Sequence, residues 1–143
     1  MKKISKTRIL LILICGFFLL LDQFLKYQAL NNWSNKVLLN KFLGWQPFLN
    51  NGIAFGIPLP NIFTIAITIP ILIVILILLI KEKNIKNFLA FALIFYGAYS
   101  NLRDRIFFDS VVDYFLIFTS LINLADVMIV VGLILLLWGK MKK

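Results

Sequence analysis

The run "IPILIVILILLI" at residues 69–80 holds twelve residues in a row with no charge or hydrogen-bonding side chain, and three further stretches come close to it. A chain of 143 residues that is 62% hydrophobic carries more apolar surface than one soluble core of that size conceals. The surplus has to face lipid. A helix needs roughly 20 mostly apolar residues to cross about 30 Å of hydrocarbon. Four segments approach that length, at about 8–28, 61–80, 88–107 and 121–139. The reading is a mainly α membrane protein with four transmembrane helices, forming one integral domain over residues 1–143.

Charge fixes the orientation of these spans. Fifteen Lys and Arg against six acids give a net charge of +9, which on a soluble chain would suggest nucleic acid as partner. Here the basic residues flank the spans instead. Lys2, Lys3, Lys6 and Arg8 precede the first, Lys81, Lys83 and Lys86 separate the second from the third, and Lys140, Lys142 and Lys143 follow the fourth. By the positive-inside rule these ten lie in the cytoplasm, with both termini. The 31–60 and 108–120 connections then face outward. Membrane lipid is the expected partner, and nucleic acid is not. The N-terminus resembles a secretory signal but runs on into "LDQFLKY" without a small-x-small cleavage site, so it is expected to be a retained span. Cys15 is the one cysteine, which excludes disulfides within the chain and thiolate clusters and leaves it as a small core residue.

Acids are unevenly placed. Glu82 belongs to the inner side, whereas Asp22, Asp104, Asp109, Asp113 and Asp126 all fall in the outer half. From Arg8 to Asp22, from Asn87 to Asn101 and from Lys140 back to Asp126 the count is 14 residues, or about 21 Å of helix. Three spans therefore bring a polar group to one depth near the outer surface. Each requires a partner or a wet cavity there, and a shared polar pocket open to the outside satisfies all three. On the third span Gly97, Asn101, Asp104 and Arg105 share one face. An ion pair of Asp104 or Asp22 with Arg105 would explain the acids structurally. Asp22 and Lys26 stand i, i+4 with the acid first, suited either to a helical salt bridge or to facing a substrate.

The outer region at about 34–58 contains the β-prone pieces VLL, FLGW and IAFGI, broken by Gly, Pro and Asn, and predicts a small extracytoplasmic sheet between the first two spans. Asn50, Asn51 and Gly52 read as a hairpin turn. Trp33 and Trp45 suit the outer interface and Trp138 the inner one.

With no histidine, the chain has no Ser-His-Asp or Cys-His catalysis and no HExxH zinc site. Carboxylates are what remains for proton transfer, and no metal or other cofactor is expected. Asp113 in the last outer connection and Asp126 on the fourth span would meet if the chain reversed between them, and Thr119 and Ser120 tolerate such a turn. A close pair of acids shares one proton, so that one member activates water while the other protonates a carbonyl oxygen. Structural and ion-pathway roles for the same two residues stay open on spacing alone.

The segments "DQFLK", "NNGIAFG", "GAYSNLRDR", "VVDY" and "NLADVMI" occur in this order between Asp22 and Ile129 and together resemble the motifs of the bacterial lipoprotein signal peptidase, or signal peptidase II, family. The resemblance implies an intramembrane aspartyl endopeptidase with an outer β-cradle. It would act on diacylglyceryl-modified prolipoproteins, cutting on the N-terminal side of the lipidated cysteine, and a monomer is expected. It implies Asp113 and Asp126 as the catalytic pair, with Asn50, Gly52, Asn101, Arg105, Asn123, Asp22 and Lys26 binding substrate or supporting the site. The chain departs from the family in carrying Tyr96 and Ser100 where glycines are common, Leu116 where an acid often follows, Ile122 before Asn123, and a short segment between the two aspartates. Two rival readings are a small ion-coupled transporter or channel subunit and a scaffold whose acids only pair with Lys26, Arg103 and Arg105. The first needs polar groups through the whole bilayer, and the inner two-thirds of the spans are almost wholly apolar.

Overall fold

The computed structural model describes residues 5–52 and 59–141, the side chains of 139–141 excepted. Lys2, Lys3, Lys142, Lys143, the side chain of Lys140 and the IAFGI piece of the outer region lie outside that description. The elements run α1 (Lys6–Asn31), β1 (Val37–Leu38), β2 (Leu43–Asn50), α2 (Asn61–Lys81), α3 (Ile85–Phe108), β3 (Val111–Ile117), β4 (Ser120–Ile122) and α4 (Leu124–Met141). The fold is thus mainly helical with a small antiparallel sheet. Among the described residues, α1 and α2 are long and apolar enough to cross a membrane, and α4 has a shorter apolar stretch, Leu124–Trp138.

α3 is the axis of the bundle and packs against each of the other helices. Its interior face carries Phe88, Ala90, Ala92 and Ile94 low down and Ser100, Asp104 and Arg105 higher up, so one helix passes from an apolar core into a polar one. The contact of α3 with α4 is close because glycines meet backbone. A Cβ at Gly97 would lie 2.6 Å from the Ala125 carbonyl oxygen, and one at Gly132 would lie 2.7 Å from that of Ala90. Small residues at such crossings let two membrane helices gain the van der Waals contact that replaces the hydrophobic effect in lipid. Tyr96 packs beside the Cys15, Phe88 and Ala92 cluster.

Two expectations change here. The sheet is built from both outer connections, not from the first alone. Its order is β1-β2-β3-β4, every neighbour antiparallel, with Val37 opposite Trp45, Phe48 opposite Asp113 and Phe115 opposite Ile122. The 108–120 segment was harder to recognise because "VVDYFLIF" is buried on both sides at its start and shows no polar alternation. The helix expected from 121 begins instead at Leu124, since Leu121 and Ile122 belong to β4. The ladder between β2 and β3 is irregular between Trp45 and Phe48, where Pro47 has no N–H to donate. The reversal between Asp113 and Asp126 falls at Phe118 and Thr119, and Phe118 takes a left-handed φ of 54°. That conformation costs a residue with a Cβ about 1 kcal/mol or more. Phe118 is held in it by donating its N–H to the Phe42 carbonyl at 2.6 Å and by packing its ring on Phe42.

Candidate active site

Asp113 is the third residue of β3, and its carboxyl is almost fully buried. Pairing of β2 with β3 sets Asn50 opposite Val111, which brings the Asn50 amide to Asp113 Oδ2 at 2.9 Å. The other end of that amide accepts the Gly52 N–H at 3.0 Å, and the Gly52 carbonyl accepts Arg105 Nη2 at 2.6 Å. The Asn50–Gly52 stretch thus turns in a side-chain-bonded loop, while the strand that a hairpin would require next lies outside the described residues. Arg105 in turn is braced by Asn61 at the start of α2, whose Oδ1 accepts from Nη1 at 3.3 Å. The Asn61 amide also donates to the Arg105 carbonyl at 2.8 Å and to Asp109 at 2.6 Å.

Asp126 reaches the same place from α4. Asn123 is the N-cap of that helix. Its Oδ1 accepts the Asp126 N–H at 2.9 Å, while Asp126 Oδ2 accepts the Asn123 N–H at 3.1 Å. This reciprocal pair is a capping box, with an acid at the third helical position. The Asn123 amide nitrogen then points away from the helix and donates to Asp113 Oδ1 at 2.7 Å. One side chain therefore holds both acids. From α3, Asn101 donates to Asp126 Oδ1 at 2.8 Å and accepts from the Asn123 amide at 3.1 Å. Burial pushes the Asp113 carboxyl up to about 7, and the charge of Asp126 acts in the same direction against the hydrogen bonds from Asn50 and Asn123.

Beside this pair lies a second acidic cluster. Lys26 on α1 meets Asp22 at 2.7 Å and Asp104 at 2.8 Å, all three fully or almost fully buried. The ion pair weighed earlier between Arg105 and these acids is not formed. Lys26 takes both carboxylates because it projects from the helix that faces α3, whereas Arg105 points toward β2 and α2. Lys26 also donates to Asn101 Oδ1 at 2.9 Å. That contact sets which way the Asn101 amide is turned and so presents its NH2 group to Asp126. Asp22 and Lys26 are accordingly spent on one another and on Asp104, and offer no free charge to a substrate.

The Lys26 cluster has further polar partners that do not touch Asp113 or Asp126. Ser100 donates to Asp22 Oδ2 at 2.6 Å, Gln23 donates to Ser100 Oγ at 2.7 Å and Asp104 at 3.1 Å, and Arg103 donates to Gln23. The Tyr114 hydroxyl donates to Asp22 Oδ1 at 2.8 Å. Only Asn123-x-x-Asp126 carried a readable signal, since the capping-box spacing marks a helix start. Among the described residues no three His, Cys, Asp or Glu side chains are grouped to hold a metal ion.

Comparison with known proteins identifies the family. Residues 14–142 match the sequence model of the family described as signal peptidase (SPase) II. The lipoprotein signal peptidase of Caldanaerobacter subterraneus subsp. tengcongensis is 38% identical over 134 residues, covering 87% of this chain and 91% of that protein. The lipoprotein signal peptidase of Clostridium novyi is 32% identical over 137 residues, covering 87% of this chain and 93% of that protein. Two bacterial membrane enzymes solved by the in meso method share the fold. The first has a TM-score of 0.85 and 31% identity over 92% of this chain and 87% of its own, and the second 0.82 and 30% over 93% of each. By its motifs, its fold and these relatives, the chain belongs to the signal peptidase II family of lipoprotein-processing proteases.

Proposed function

We propose that this protein is an intramembrane aspartyl endopeptidase that removes the signal peptide of prolipoproteins on the N-terminal side of the diacylglyceryl-modified cysteine, with Asp113 and Asp126 as its catalytic pair. The observation that carries the proposal is Asn123, which donates to Asp113 at 2.7 Å and exchanges two hydrogen bonds with Asp126. Two carboxyl groups joined through amides hold one proton between them more easily than none. The ionised member takes a proton from water as its oxygen attacks the scissile carbonyl carbon, and the protonated member gives its proton to the carbonyl oxygen. As the tetrahedral gem-diol collapses, one of its hydroxyls returns a proton to the ionised member, the C–N bond breaks, and the departing amine takes the proton of the other member, so that the pair again holds one. Asn50 and Asn101 hold the two acids in place, and Arg105 with Gly52 fixes the edge of the sheet beside which a substrate backbone would lie.

In this reading four helices cross the bilayer with both termini in the cytoplasm, and the sheet lies on the outer surface. The exposed flanks of the helices are apolar, as at Phe17, Leu20, Ile62, Phe63, Ile73 and Ile80. Lys81, Lys83 and Lys86 gather at the opposite end from the acids. The site then opens at the depth where a substrate's acyl chains remain in lipid and its peptide bond meets water. The transporter reading gains nothing from α2, where Thr68, in the outer half of the helix, spends its hydroxyl on the Thr64 carbonyl of the same helix at 2.7 Å.

Replacing either acid by its amide tests the proposal. D113N and D126N keep the side-chain volume and are expected to lower cleavage of a lipidated precursor by at least about 10²- to 10⁴-fold, the range general acid–base groups supply. Uncut prolipoprotein should accumulate while the variant remains inserted at normal level. Normal processing by both variants would remove the two aspartates from the mechanism.

A further inference from the structure

We infer that Tyr114 is a positioning residue for the cleavage reaction, its hydroxyl strapping the strand that carries Asp113 to the first turn of the helix that carries Asp126. The inference rests on the aspartyl reading above. Tyr114 follows Asp113 directly, and successive side chains of a strand point to opposite faces. Asp113 therefore faces the site while Tyr114 faces α1, fully buried among Ala29, Val112 and Leu124 and stacked on Trp45 at 5.0 Å. From there it has no access to a substrate.

Its hydroxyl is used twice. Oη donates to Asp22 Oδ1 at 2.8 Å and accepts the Leu124 N–H at 3.0 Å. Leu124 opens α4, and the first N–H groups of a helix have no acceptor within it. The next donor, Ala125 N–H, goes to the same Asp22 oxygen at 3.2 Å, and the third, Asp126 N–H, goes to Asn123. Three successive donors leading up to Asp126 thus end on Tyr114, Asp22 and Asn123. The first of those acceptors belongs to the strand of Asp113 and the second to α1. The height and rotation of Asp126 relative to Asp113 are set through this phenol. Burial, and then the charge of Asp22, push its pKa up, which keeps it a hydroxyl able to donate.

Y114F removes one oxygen and leaves the ring packing in place. Cleavage of a lipidated prolipoprotein by the full-length enzyme should show kcat reduced about 10- to 100-fold, the scale of a small misplacement of catalytic groups, with KM within about twofold of wild type. S100A is the control. Ser100 donates to the other oxygen of the same Asp22 and, among the described residues, makes no hydrogen bond to α4. If Tyr114 acts as a strap, S100A keeps kcat within about twofold. Wild-type kcat in Y114F overturns the inference, as does a loss in S100A equal to that in Y114F, which would mean that only the support of Asp22 matters. D113N and D126N run alongside separate the two levels. Cleavage surviving in them overturns the aspartyl reading and this inference together, whereas inactive D113N and D126N with an unimpaired Y114F overturns this inference alone.

Discussion

The molecule holds two pairs of buried or half-buried carboxyl groups close together, and it treats them differently. Asp22 and Asp104 share Lys26, whose ammonium sits within 2.8 Å of both. Asp113 and Asp126 share Asn123, and their remaining direct partners, Asn50 and Asn101, are also amides. A cation between two acids neutralises charge and holds helices together. Amides between two acids orient the oxygens while leaving the proton count of the pair free to change. In the proposed mechanism the same residue type thus serves as keystone in one cluster and as reagent in the other, and the neighbour decides which. Lys26 links the two clusters, because its third hydrogen bond turns Asn101 toward Asp126.

The sharpest way to break this contrast is to remove the cation. K26M leaves Asp22 and Asp104 buried without their counter-charge, and truncating one partner of a buried ionic cluster costs about 3–5 kcal/mol. Thermal unfolding in detergent should fall well below wild type, whereas D126N, whose carboxyl among the described residues accepts from amide donors, should unfold near the wild-type temperature. Equal stability of K26M and wild type would show that the Lys26 cluster is not the keystone described.

Which cluster an acid joins was only partly legible in the sequence. The depth count of 14 residues did put Asp22, Asn101 and Asp126 at one level, and in the fold Asn101 and Ala125 bond to Asp126 and Asp22 respectively. The pairing of Asp104 was not legible. It depends on the rotation of α1 about its axis, which decides that Lys26 and not Arg105 faces it, and periodicity alone does not fix rotation between two helices. The outer sheet was half legible. β2 announced itself through FLGW between turn residues, but β3 is buried at its start and reads as a continuous apolar run. Tyr114 and Ser100 gave no sequence signal, because a hydroxyl acquires its role only when distant elements bring a carboxylate to it.

A smaller effect should follow from forcing α3 and α4 apart beside the proposed catalytic pair. In G97A the new methyl would meet the Ala125 carbonyl at 2.6 Å and Ile129 at 2.9 Å, one residue from Asp126 and one turn below Asn101. Overpacking of this kind costs about 1–3 kcal/mol. The displaced Asn101–Asp126 contact should also lower kcat, by about tenfold. G132A meets the Ala90 carbonyl and Ile94 just as closely but farther along α4. It is expected to destabilise comparably and to leave kcat close to wild type, as thermal unfolding and cleavage rates measured on both variants would reveal. Equal kcat losses would mean that helix separation anywhere along the contact disturbs the site.

The finest test concerns the proton itself. Burial holds the Asp113 carboxyl up to about 7, and the charge of Asp126 contributes to that elevation. An acid with a raised pKa keeps its proton until the pH passes that value. In infrared difference spectra the carbonyl band of a protonated carboxyl should therefore fade as the pH rises through about 7, and D113N should lack it. D126N removes the neighbouring charge, so the midpoint must move down, toward the ordinary carboxylate range. If the aspartates form one proton-sharing unit, the pH at which kcat declines on the alkaline side should coincide with the wild-type infrared midpoint. A midpoint that stays put in D126N would mean that Asp113 is held protonated by its surroundings alone, and the two aspartates would then not form one proton-sharing unit.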